Sequence, residues 1–231
     1  MSKTTFLLII LFILTGCTNM TVQTEKQFEK VPLPTESMVV IPPEPSSIEM
    51  KEWLLPKKNS RVRGAPITHV MLHFTNNALR SPQSPYNIED VYALFEEYEV
   101  SAHYMIDREG EIYLLVPEER AAFHAGKGRH LNYQEYGNGL NDYSIGIELM
   151  AIGTKEEMLS TIPEETYDSI DPLNMGYTEE QYIALNKLLD DILTRNPGIK
   201  NDREHIIGHD EYSPVRKSDP GELFDWSRIG F

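Results

Sequence analysis

An α/β fold, one β-sheet flanked by helices, is predicted for this 231-residue chain by three observations. The stretch ITHVMLHFT (Ile67 to Thr75) alternates Val70, Leu72 and Phe74 with His69, Met71 and His73, the period of two that a strand requires. The stretch TEEQYIALNKLLDDILTRN carries Tyr182, Leu185, Leu189 and Ile192 at helical spacing behind Thr178 and Gln181, which stand in capping-box positions. From Pro66 onward, strand-like and helix-like segments alternate closely enough to build a single layered sheet.

The first sixteen residues stand apart from that fold. Lys3 is followed by the apolar run FLLIILFIL (Phe6 to Leu14), too short to span a bilayer and of the length of a signal-peptide core. The ending L-T-G-C at Cys17 is similar to a lipobox, where bacterial lipoproteins are cleaved and the new terminal cysteine acquires lipid. An ordinary signal peptide with a chance cysteine is the alternative. Cys17 is the only cysteine, so no internal disulfide can form. From Thr18 to about Asn59, Pro32, Pro34, Pro42, Pro43, Pro45 and Pro56 interrupt a polar segment without a sustained period, which reads as a tether. A helical turn is expected in it around SIEMKEWL (Ser47 to Leu54). The expected organisation is a signal peptide over 1–16, a lipidated cysteine and Pro-rich tether over 17–60, and one folded domain over 61–231. Lipid on Cys17 would hold that domain at a membrane of the cell envelope: the outer membrane if the cell has two, otherwise the outer face of the plasma membrane.

Within the domain, NIEDVYALFEEYE opens with Asn87 as N-cap and carries Val91, Leu94, Phe95 and Tyr98 on one helical face. AHYMID and EIYLLV, joined by REG around Gly110, read as a hairpin. YSIGIELM (Tyr143 to Met150) and HIIG (His205 to Gly208) read as strands, and the long helix stops at NPG. Between Ile152 and Tyr177 lies an acidic stretch with no pattern of its own, read as a long loop placed to wall a groove, as a lid or as a passive insertion. Hydrophobic and charged fractions of 40% and 25% are those of a globular domain. A formal charge of −15 excludes nucleic acid as partner, because phosphate binding needs a basic footprint. A monomer is expected.

Two histidine pairs, His69/His73 and His205/His209, are four residues apart. On a helix such a pair could share a metal. Both segments read as strands, where four residues span roughly 13 Å at ~3.3 Å each, far beyond what Zn–N bonds of about 2 Å can bridge. At most one histidine of each pair can serve a common site. The later members, His73 and His209, stand where strands give way to loops, and His69 and His205 are left to structural roles. Asp219 is the natural third ligand, since HDEYSPVRKSDPG (His209 to Gly221) reads as an irregular loop that can curl back. On spacing alone this set is one of many that seven histidines and 36 acidic residues allow.

The order VMLHFT, SAHYMIDREGEIYLLVPEERAAFHAG, NDYSIGIEL, IIGHDEYSPVRKSDPG resembles the zinc-dependent N-acetylmuramoyl-L-alanine amidases of the amidase-2 type, a family that includes phage amidase lysozymes and peptidoglycan recognition proteins. The resemblance runs from about Pro66 to Trp226. It implies a central mixed sheet with a zinc groove over it, His73, His209 and Asp219 as zinc ligands, Glu148 as catalytic acid–base and Lys217 as an electrostatic clamp. It implies cleavage of the amide joining N-acetylmuramic acid to L-alanine in peptidoglycan or muropeptides, with zinc as cofactor. His124, in FHAG, falls where the family lines its substrate groove, and Asn141 begins the motif before Glu148. A plain turn histidine and a turn-shaping Asn141 are the competing readings. A binding protein of the same fold that recognises peptidoglycan without cutting it is the competing function, and loss of a zinc ligand would mark it.

Overall fold

The computed structural model describes residues 46–127, 136 and 139–231. Cys17, the leader, most of the expected tether and His130 lie outside the described residues. Among the described residues eight strands form two sheets: β1 (Lys51–Glu52), β2 (Ser60–Val62), β3 (His69–Thr75), β4 (Tyr104–Ile106), β5 (Ile112–Leu114), β6 (Arg120–Ala122), β7 (Ser144–Met150) and β8 (Ile206–Gly208). The main sheet runs β1-β5-β4-β7-β3-β8, and β2 pairs with β6 alone. Contacts of β7 with β4, of β3 with β7 and β8, and of β1 with β5 are parallel, while the β4–β5 hairpin is antiparallel, so the sheet is mixed.

The parallel centre is covered on both faces, as its near-continuous apolar strands require. On one face, Val70 and Leu72 of β3 and Ile145, Ile147 and Leu149 of β7 pack against Leu185, Leu188, Leu189 and Ile192 of the long helix α4 (Glu179–Arg195). Each such buried side chain contributes about 1.5–3 kcal/mol. Thr178 caps α4 by accepting from Gln181 N, and the Gln181 amide donates to Met150 O at 3.0 Å, joining the helix start to the end of β7. On the other face, Met105 and Met150 pack with Val91 and Phe95 of α1 (Ile88–Tyr98), whose N-cap Asn87 accepts from Asp90 N.

Three expectations are corrected. The stretch Ser47–Leu54 forms no helical turn: Lys51 and Glu52 pair with Tyr113 and Leu114, and Ser46 and Ser47 hydrogen-bond Asp191. Asn59, downstream of it, is fully buried and donates to Phe95 O and Val100 O. The loop after β8 begins with a one-turn helix, α5 (His209–Tyr212), because Glu211 reaches back to accept from Gly208 N. The acidic insertion is not structureless. It holds α2 (Lys155–Met158), capped by Thr154, and α3 (Glu164–Asp168), and it buries Ile152, Met158, Ile162 and Ile170 against Ala78.

Candidate functional site

Strand register places the site. In the parallel β3–β8 pair, Val70 faces Ile206 and Leu72 faces Gly208, so one step further in each direction sets His69 beside His205 and His73 beside His209. Histidines four apart on one strand are kept apart; histidines across two strands meet. In the β3–β7 pair His73 faces Glu148. Alternation in SIGIEL sends Ile145, Ile147 and Leu149 into the core under α4. Ser144, Gly146 and Glu148 turn to the opposite face, and Glu148 borders the cavity there.

On that face His73 Nδ1 lies 2.7 Å and His209 Nδ1 lies 3.0 Å from the same oxygen, Asp219 Oδ2. The ligand atoms of all three residues lie within 4.8 Å of one another, and all three residues are buried. His209 Nε2 is 3.0 Å from Ala125 O. A carbonyl only accepts, so the ring hydrogen is on Nε2. In the neutral ring Nδ1 is then bare, lone pair against the Asp219 oxygen, an arrangement that a cation satisfies. Burial, then the neighbouring His209, pulls the His73 pKa down to about 4, which keeps this ring neutral. Burial alone would raise the Asp219 carboxyl, but His209 and His73 more than offset it and hold it well below the usual carboxylate range. Two nitrogens and one ionised oxygen around a common point, with room for a further ligand, suit a divalent metal of the zinc type.

Glu148 is the second acid. Burial, then the charge on Asp219, pushes its carboxyl well above the ordinary value, while Lys217 pulls it back. Among the described residues nothing hydrogen-bonds its buried Oε2. Two nearby carboxyls with pKa values driven apart are the pattern of a site that moves protons. Both acids border a cavity of about 370 Å³. Phe123, Tyr98, and Thr161 and Ile162 of the insertion also line it, as does the exposed Lys217.

The elements around the site hold these groups in place. Asp210 N donates to Asp219 O at 2.8 Å, and Tyr177 Oη donates to Pro220 O at 2.6 Å. Arg216, next to Lys217, donates to Ala125 O and Lys127 O, both at 3.1 Å. His124 lies in the site with both ring nitrogens engaged, Nδ1 by His73 and Nε2 by Ser144. Asn141 does not border the cavity: its Oδ1 accepts from His124 N and Ala125 N and fixes the turn that carries His124. His103 lies behind the site, its Nδ1 accepting from Gly146 N. Ser144 and Gly146 were not singled out from the sequence, although the alternation in SIGIEL puts both on the face of Glu148. Asp202, Glu204 and His205 form a second cluster of possible ligands, but Asp202 Oδ1 already accepts from Glu204 N, His205 N and His205 Nδ1 as the cap of a turn.

The family profile Amidase_2, N-acetylmuramoyl-L-alanine amidase, matches residues 63–222. The chain belongs to that family. Among curated amidases, the 1,6-anhydro-N-acetylmuramyl-L-alanine amidase AmpD of Citrobacter freundii is 34% identical over 143 residues, 62% of this chain and 62% of AmpD. The N-acetylmuramoyl-L-alanine amidase AmiD of Escherichia coli K12 is 31% identical over 144 residues, 59% of this chain and 46% of AmiD. The chain thus spans less than two thirds of the length of the curated relatives it matches. Among solved amidase structures, a selenomethionine derivative of AmpD superposes with a TM-score of 0.55 at 27% identity, covering 78% of this chain and 92% of that one. AmiD of E. coli in complex with anhydro-N-acetylmuramic acid-L-Ala-D-γ-Glu-L-Lys superposes with a TM-score of 0.53 at 27% identity, covering 73% and 59%. The mixed sheet with flanking helices is therefore the amidase fold.

Proposed function

We propose that this chain is a zinc-dependent amidase that hydrolyses the bond between N-acetylmuramic acid and L-alanine in peptidoglycan fragments, anhydro-muropeptides among them. One observation carries the reading: two imidazole nitrogens and an ionised carboxylate oxygen converge in the cavity that Glu148 borders, and its buried Oε2 has no hydrogen-bond partner among the described residues. The names of AmpD and of the substrate bound to AmiD support the substrate class.

His73, His209 and Asp219 would hold the zinc. When bound, zinc supplies Lewis acidity that polarises a carbonyl and brings the pKa of water toward ~7. Burial and then the Asp219 charge raise the Glu148 carboxyl, and a cation that shares that charge would lower it again. Glu148 then takes a proton from the attacking water and returns it to the L-alanine nitrogen as the C–N bond breaks. Lys217 offers its ammonium to the carbonyl oxygen as negative charge develops there. Buried β3 and β7 fix His73 and Glu148 side by side, so the groups need no rearrangement during the reaction. A protein that only binds muropeptides would leave Glu148 and the complete ligand set without a purpose.

Mass spectrometry of a defined N-acetylmuramoyl-peptide incubated with the chain, with zinc or with chelator, tests the reading. Metal-dependent release of a peptide beginning at L-alanine supports it, and unchanged substrate from zinc-loaded protein refutes it. The same reading has the chain work as a monomer tethered through lipid on Cys17, at the outer membrane of a two-membrane cell or otherwise at the outer face of the plasma membrane. The L-T-G-C sequence supports that anchor. Incorporation of labelled palmitate that is abolished by Cys17→Ala is its test.

A further inference from the structure

A line of hydrogen bonds runs from the backbone into His73. Ser144 Oγ lies 2.7 Å from Leu140 O, which can only accept, so the single hydroxyl hydrogen points there. Ser144 Oγ then accepts from His124 Nε2, 3.1 Å away. With its hydrogen on Nε2, a neutral His124 presents a bare Nδ1 to His73 Nε2 at 3.0 Å, and His73 has to donate. Asp219 Oδ2, 2.7 Å from Nδ1, competes for that hydrogen while no cation is bound; a bound cation removes the competition, and the hydrogen of His73 is then held on Nε2 with the Nδ1 lone pair free to bind.

We propose that His124 and Ser144 are positioning residues that hold His73 in the one neutral tautomer able to bind a metal through Nδ1. The inference rests on the zinc reading above and adds to it. Two further observations support it. The His124 ring packs against Gly146, where an added Cβ would lie 2.5 Å from the ring Cγ. The backbone of the same turn is pinned by Asn141, and Ala125 O takes the Nε2 hydrogen of His209. One turn, residues 124–125, thus sets the tautomers of both histidine ligands. Because both ring nitrogens of His124 are engaged, it has none left for substrate while the line is intact.

Two readouts on the full chain test this: long-range ¹⁵N–¹H correlation spectra of His73 in zinc-loaded protein, and zinc affinity by chelator competition. The variants are His124→Phe, His124→Asn and Ser144→Ala. His73 is expected as the Nε2–H tautomer in the unsubstituted chain and as a mixture in His124→Phe, with zinc affinity lowered about 10–100-fold, the usual effect of losing an outer partner of a ligand histidine. His124→Asn, whose amide oxygen can stand where Nδ1 stood, recovers most of that loss. Ser144→Ala shows a smaller loss, below about 10-fold, and decides the matter if His124→Phe fails to fold. His73 carrying its hydrogen on Nδ1 in the unsubstituted chain overturns the proposal. So do variants that keep its tautomer and its zinc affinity, in which case the zinc reading survives. Failure of the unsubstituted chain to bind zinc refutes the zinc reading and this proposal with it, whereas the two outcomes above overturn this proposal alone.

Discussion

Two histidine pairs flank the β3–β8 pairing, one at each end, with nearly equal ring separations: 5.2 Å for His69/His205 and 4.6 Å for His73/His209. Their surroundings differ. At the first end the rings stack at 20°, His69 Nδ1 faces Thr68 Oγ1, and His205 Nδ1 faces Asp202 in a partly exposed turn. At the other end the rings cross at 75° and both Nδ1 atoms meet one buried oxygen of Asp219. Proximity of two imidazoles therefore does not make a metal centre. On the proposed zinc reading, what matters is that a third ligand comes between the Nδ1 atoms.

The sharpest test of this contrast is to remove the third ligand. Asp219→Ala is expected to abolish zinc retention in metal analysis and to lower amidase activity by ~10³-fold or more, the scale of several kcal/mol of lost Lewis-acid stabilisation. His205→Ala, at the other end of the same strands, should leave the zinc content per chain unchanged. Zinc lost equally from both variants would break the comparison. Next in size, Glu148→Gln should keep zinc while kcat falls by about 10²–10⁴, the range for a lost general acid–base group. Lys217→Ala should lower kcat by about 10² with little change in zinc affinity, as for one lost oxyanion donor.

The smallest effect concerns stability at the stacked pair. Burial, then the His205 charge, pulls the His69 pKa from 6.5 to about 4. The unfolded chain thus takes up this proton first as pH falls. Stability from this residue is complete above pH 6.5 and is lost between about 6.5 and about 4, at most on the order of 3 kcal/mol. Thermal melts across that range should show a flatter acid limb for His69→Phe than for the unsubstituted chain. Equal slopes would remove the stacked pair from the acid response.

The sequence showed most clearly those elements long enough to display a period. The seven residues of β3 and β7 and the 17 of α4 carry full alternation or helical repeat. The two-residue β1 and three-residue β2 and β6 are too short to show any, and their pairing depends on partners far along the chain. Strand arithmetic separated His73 from His69 and His209 from His205, because distance along an extended chain is a local property. The role of Ser144 was not readable in this way. A serine in a strand is ordinary, and only the arrival of His124, twenty residues earlier in the chain, gives its hydroxyl a direction. The acidic insertion misled for a related reason: Ile152, Met158, Ile162 and Ile170 are spaced irregularly, and their common burial appears only once they close over Ala78.

The hydrogen bond from Asp210 N to Asp219 O has a thermodynamic consequence. It closes the segment between two of the ligands into a ring before any metal arrives, so His209 and Asp219 behave as the arms of a preformed chelator. In small zinc modules the ion's binding energy is the folding energy, and the stripped peptide collapses. Here the sheet and its two apolar layers bear the fold, and the loop entropy of bringing the ligands together belongs to folding. If the zinc reading holds, metal uptake is thereby uncoupled from folding, and the chain would gain or lose its ion as a reversible ligand-exchange reaction on a standing scaffold.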